Sequence, residues 1–127
     1  RLEGVNKVYG TRILISETTK AAIEDHLVTR EIDTIAVKGK SEAVRVYELV
    51  GTPDEVDDDL RQSIERFEAG LEAYREAAWD EAEARFKEAK ALRPDDRAVD
   101  TFLERIDGFR QRLPSGGWDG TFTMTVK

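Results

Sequence analysis

Residues 36–50, AVKGKSEAVRVYELV, hold two lysines on either side of one glycine, with β-branched residues before and after. Two ammonium groups at one turn suit either of two tasks. They can stand in solvent and aid solubility, or they can clamp the oxygens of a phosphate chain through charge-assisted bonds. From the residues alone, an exposed turn lysine is the expected role of Lys38. Lys40 faces the other side of the turn and reads as the more solvated of the two, and Gly39 supplies the conformational freedom the turn needs.

Other polar or aromatic residues could do chemistry but fit structural tasks better. The run DEVDDDL, residues 54–60, has enough carboxylates to attract a cation. It also stands at the start of a helical pattern, where the positive end of the helix dipole favours acidic residues. His26 follows a predicted helix and reads as a charge partner for that helix's C-terminus, not as a catalytic base. Glu3 and Asn6 read as helix-end polar groups. Trp79 and Phe86 read as core. Trp118 follows two glycines outside any helical face and is expected to anchor the chain's tail.

Three groups of elements must position these residues. In the first 51 residues, RLEGVNKVYG reads as a closing helical turn and TRILIS as a short buried strand. Ser16 can cap a helix over residues 17–25, with Ala21, Ala22 and Ile23 as a modest apolar side. Two strands follow, over residues 27–37 and 43–50, joined by a turn at 38–42. The apolar spacing slips from even to odd between Ile32 and Ile35, which predicts a bulge near Asp33. Residues 52–113 then switch to a helical period. Thr52, Pro53 and Glu55 suit a capped helix start. Ile64, Phe67, Leu71 and Tyr74 share a face of one helix, and Trp79, Ala82, Phe86 and Ala89 share a face of the next. Val99, Phe102, Ile106, Phe109 and Leu113 line a third, capped by Asp95 or Asp96. In residues 114–127, TFTMTV alternates as a single strand, which must pair with a sheet edge of this chain or of a partner.

Composition removes several classes of function. No cysteine is present, so disulfides and cysteine-based metal sites are excluded, and one histidine cannot build a His-rich site. A net charge of −7 argues against nucleic acid as a partner. No apolar run approaches the roughly 20 residues of a membrane span. At 127 residues the chain can hold one ordinary domain or two small ones. It opens inside a helix end and without methionine, as expected of a piece of a longer protein.

Two resemblances add to this reading. Gly70, Tyr74, Ala82, Phe86, Ala89 and Pro94 resemble the small, aromatic and proline positions of one 34-residue tetratricopeptide repeat. The pattern departs at Ala77, where the repeat has glycine in the turn. The more specific resemblance lies in RLEGVNKVYGTRILISETT and REIDTIAVKGKSEAVRVYELVG. Together with the ending WDGTFTMT, these resemble the C-terminal part of a bacterial class III adenylate/guanylate cyclase catalytic domain.

The resemblance implies an α+β fold, the C-terminal fragment of a ferredoxin-like cyclase domain, followed by an all-α TPR-like three-helix segment. It implies a homodimer that binds ATP or GTP between its subunits and uses Mg2+ or Mn2+. The ribose 3′-oxygen attacks the α-phosphorus and pyrophosphate leaves; conversion of ATP to cAMP is the expected case. Arg1, directly before LEG, corresponds to the family's transition-state arginine, and Lys38 to the lysine that holds the triphosphate. Lys40 is a lesser candidate for that contact. The family's metal-binding aspartates, its asparagine and its base-selecting residues would precede Arg1, so this stretch alone is expected to be inactive. The expected location is cytosolic, within a protein that could be membrane-anchored elsewhere. The competing expectation is a non-catalytic TPR-like interaction or regulatory module on a degenerate cyclase-like domain. Two aspartates at metal-site spacing and an asparagine upstream would separate the two.

Overall fold

The computed structural model describes residues 2–37, 42–114 and 118–124 of the chain. The described residues form an α+β structure of five α-helices and a four-stranded sheet. In chain order the elements are α1 (Leu2–Tyr9), β1 (Leu14–Ser16), α2 (Glu17–Ile23), β2 (Val28–Val37) and β3 (Ala43–Gly51). A 3-10 turn over Pro53–Glu55 leads to α3 (Asp58–Arg75), α4 (Trp79–Leu92), α5 (Arg97–Gln111) and β4 (Thr121–Met124).

The sheet order is β1-β3-β2-β4. β2 and β3 form an antiparallel hairpin whose register runs from Thr29↔Leu49 to Ala36↔Ala43. β1 pairs antiparallel with β3, and β4 pairs parallel with the end of β2, from Thr34↔Thr121 to Val37↔Met124. The tail strand is therefore paired within the chain, beside the last four residues of β2.

The expected bulge is present: Glu31 pairs with Tyr47 but Asp33 with Val46, leaving Ile32 as the extra residue. Without it, strict alternation would turn Asp33 and Ile35 away from Arg30 and Ile32. With it, all four are buried on the side facing the helices.

One apolar core runs from the sheet into the helices. Val5, Tyr9, Leu14, Ile32, Ile35 and Val46 join Phe67, Leu71, Phe86, Phe102 and Ile106 in a single cluster. Rings fill its centre: Phe67 lies edge-on to Phe86 (5.3 Å between centroids) and to Phe102 (5.7 Å). Gly70 lets α3 and α4 approach, because a Cβ there would stand 2.9 Å from the Phe86 ring.

Several local expectations shift. Thr52 starts the 3-10 turn, where the Glu55 carboxylate accepts from its N–H at 2.9 Å; α3 is capped by Asp57, which accepts from Leu60 N at 2.8 Å. Asp96, not Asp95, caps α5 by accepting from Ala98 N at 3.2 Å. α5 ends at Gln111, so Leu113 lies beyond the apolar stripe and is 71% exposed. β1 is a short edge strand in which Leu14 is buried while Ile13, just before it, is 51% exposed. α2 is capped by Ser16 as expected but buries no residue.

Candidate functional site

The sequence candidates Arg1, Lys38 and Lys40 lie outside the described residues, as does Gly39. The elements next to them are described. α1 begins one residue after Arg1, β2 ends one residue before Lys38, and β3 resumes at Ala43. α1 and β2 are themselves tied together within the fold.

That tie is a buried polar node. Its centre is Asp33, which the bulge directs into the core at 0% exposure. The Tyr9 hydroxyl of α1 donates to Asp33 Oδ2. Arg105 of α5 donates from Nη1 to the same oxygen at 2.8 Å and from Nη2 to the Tyr9 oxygen at 3.2 Å. The Thr34 N–H donates to Asp33 Oδ1 at 2.8 Å. The Arg105 guanidinium also lies 3.8 Å from the ring centre of Phe122 on β4. One side chain of α5 thus touches α1, β2 and β4.

The electrostatics follow from burial. Loss of solvent pushes the Asp33 carboxyl above the usual carboxylate range, while the Arg105 charge and the bonds from Tyr9, Arg105 and Thr34 work the other way. Burial, reinforced by the Asp33 charge, raises the Tyr9 phenol well above its ordinary value, so it stays a donor. Burial works against the Arg105 charge, but Tyr9 and Asp33 outweigh it and hold the guanidinium protonated.

A second node lies further back along β2. Arg30, 1% exposed, faces its cross-strand partner Glu48 with Nη2 2.8 Å from Oε1. Its Nη1 donates to Asp96 Oδ2 and its Nη2 reaches Asp96 Oδ1 at 3.3 Å. The guanidinium stands 4.4 Å from the ring centre of Phe67. Burial opposes the Arg30 charge, and Glu48 and Asp96 more than offset it. The two nodes have opposite polarity. β2 offers a cation at Arg30 and an anion at Asp33; α5 answers with an anion at Asp96 and a cation at Arg105. Docking α5 in the reverse direction would set Asp96 against Asp33 and Arg105 against Arg30, so the charge pattern matches the observed direction.

The tail adds a brace. The Trp118 indole N–H donates to the Tyr74 carbonyl at 3.0 Å, and its ring packs against Phe109 (5.0 Å), Tyr74 (5.4 Å) and Trp79 (5.8 Å). This holds the approach to β4 against the ends of α3 and α5, as an anchor would.

The remaining candidates keep their structural roles. Asp57 caps α3 and Glu55 closes the 3-10 turn, and among the described residues no group of three or more His, Cys, Asp or Glu side chains is placed to hold a metal ion. The described residues therefore do not fit a divalent-cation site. A surface groove by α2 gathers Lys20 and Arg61 but also Glu24, Glu31 and Glu68, a mixture unsuited to a polyphosphate. His26 is exposed just past α2. No helix among the described residues is long and apolar enough to cross a membrane.

The node residues Tyr9, Arg30, Asp33, Asp96 and Arg105 are not functional candidates by sequence. Arg105 carries a signal: it lies three residues after Phe102 and four before Phe109, beside the apolar stripe of α5. Its partner Asp33 is 72 residues away, and Arg30 and Asp96 are 66 apart, so no local pattern joins them.

Comparison with known proteins finds two adenylate cyclases. The chain is 33% identical over 109 residues to "Adenylate cyclase, terminal-differentiation specific" of Dictyostelium discoideum, covering 83% of the chain and 5% of that protein. It is 45% identical over 51 residues to "Adenylate cyclase 1" of Rhizobium meliloti (strain 1021), covering 40% of the chain and 8% of that protein. The chain thus spans only a small part of either relative. No family model and no solved structure matches. A match over 83% of the chain must include β2, β3, α3 and α4, so the likeness to the first relative extends from the sheet into the helices. The chain is related in sequence to adenylate cyclases, and its match to the first of them takes in β2, β3, α3 and α4.

Proposed function

We propose that the chain is the C-terminal portion of a class III nucleotide cyclase that converts ATP to cAMP and pyrophosphate. The observation that carries this reading is the likeness to two adenylate cyclases, together with Lys38 in the Val-Lys-Gly-Lys connection between β2 and β3.

In this reading the Lys38 ammonium binds the triphosphate, with Lys40 as a secondary contact, and Arg1 stabilises charge that builds on the α-phosphoryl oxygens. Phosphoryl-type transfer depends mainly on position and electrostatics, so fixed cations are the chain's contribution. The family's Mg2+ or Mn2+ would be held by residues outside the described set. The active form is a homodimer with nucleotide between subunits, located in the cytosol or on the cytosolic side of an anchored protein. Residues 52–113 are a TPR-like segment that braces the catalytic portion.

The test is an assay of the full-length protein for cyclic nucleotide formation from ATP and from GTP, with Mg2+ and with Mn2+. Formation of cAMP supports the reading. A purified, folded and dimeric protein that makes no cyclic nucleotide from either substrate supports the non-catalytic interaction module.

A further inference from the structure

We propose that Arg105, in the helical half, is a positioning residue for the cyclase site: it holds α1 and β2, which lead to Arg1 and Lys38, in one fixed relation. The inference rests on the cyclase reading above and adds a role for a residue outside the catalytic portion.

Three observations converge on Arg105. Its two terminal nitrogens divide between the elements, Nη1 on Asp33 of β2 and Nη2 on the Tyr9 oxygen of α1, across 72 and 96 residues of sequence. The Tyr9 hydroxyl closes the triangle by donating to Asp33. The guanidinium also rests on Phe122 of β4, the strand paired with residues 34–37 of β2 that run directly into Lys38. A planar fork can satisfy two acceptors at fixed angles, which an ammonium group cannot. Asp33 sits on a bulge, where the backbone is bent so that one side chain reaches this fork. Shifting one element by about an ångström against the other would break a bond in a node buried away from solvent, where a lost partner is costly.

The consequence is kinetic. A triphosphate clamp and a transition-state cation must be correctly placed together, and a misplacement of about 1 Å far from the chemistry can reduce turnover by as much as about 100-fold. Loosening the node should therefore reduce kcat more than it raises KM.

The test uses the full-length protein with Arg105→Met, Arg105→Lys, Tyr9→Phe and Lys38→Ala, each checked for folding by thermal denaturation. Arg105→Met is expected to lower kcat about tenfold or more while KM for ATP stays within about threefold. Arg105→Lys should fall between, because it keeps the charge on Asp33 and loses the second arm. Tyr9→Phe removes one oxygen and keeps the ring, so it should fold and still lower kcat. In the Lys38→Ala background the Arg105→Met effect should shrink, because the two act through one geometry. A folded Arg105→Met protein with wild-type kcat overturns the proposal. Full multiplicativity with Lys38→Ala also overturns it, since a purely structural effect would multiply. If Arg105→Met does not fold, wild-type kcat in Tyr9→Phe overturns it instead. Failure of the cyclase reading shows differently: no cyclic nucleotide from the wild-type protein, or no effect of Lys38→Ala.

Discussion

Arg105 on α5 and Asp33 on β2 meet at 2.8 Å in the core although 72 residues separate them. Asp33 is fully buried and Arg105 largely so, and the bond joins the helical half to the strand that leads to Lys38. Removing one partner from such a pair leaves the other charge without compensation.

Arg105→Ala is therefore expected to lower stability by about 3–5 kcal/mol, the range for breaking one side of a buried pair. Replacing both residues, as Asp33→Val with Arg105→Met, should cost less than the single change, because no unpaired charge remains. Denaturant titration of both variants measures the difference. A double variant less stable than the single one would contradict this account of the node.

The turn between α3 and α4 contains Ala77 at φ +60, the one non-glycine residue at positive φ among those described. A side chain in that region costs about 1–2 kcal/mol, and glycine gives back about 0.5–1 through its freer unfolded chain. Ala77→Gly should stabilise the protein by about 0.5–1 kcal/mol. A lower denaturation midpoint would contradict the assignment of strain to this residue.

Gly70 faces the Phe86 ring, and an added Cβ would sit 2.9 Å from it. Gly70→Ala should push α3 and α4 apart and destabilise by about 1–3 kcal/mol, the usual range for overpacking. Thermal denaturation gives the sign. An unchanged midpoint would mean that the ring moves aside without strain.

Much of the fold is legible in the sequence because it rests on short-range patterns. The slip between Ile32 and Ile35 locates the bulge, and the faces through Phe67, Phe86 and Phe102 are the ones that meet in the core. Ser16 caps α2 at the position its spacing indicates. Two departures are also local. Leu113 extends the stripe by periodicity but falls after α5 has ended. Thr52 has the chemistry of a helix start, yet the helix it opens is only a 3-10 turn, and Asp57 performs the capping of α3. The polar nodes are not legible, because charged side chains are buried only when paired and their partners lie 66 and 72 residues away. Of the candidate site, the types and spacing around Lys38 are readable, while the node that steadies its strand emerges only when α5 is placed against β2.

The most direct test of the central claim is kcat/KM for cyclic nucleotide formation by the full-length protein with Lys38→Ala. Loss of a charge-assisted phosphate contact predicts a decrease worth roughly 1–3 kcal/mol. A kcat/KM equal to wild type, in a folded variant, would leave Lys38 a solvated turn residue and contradict the account.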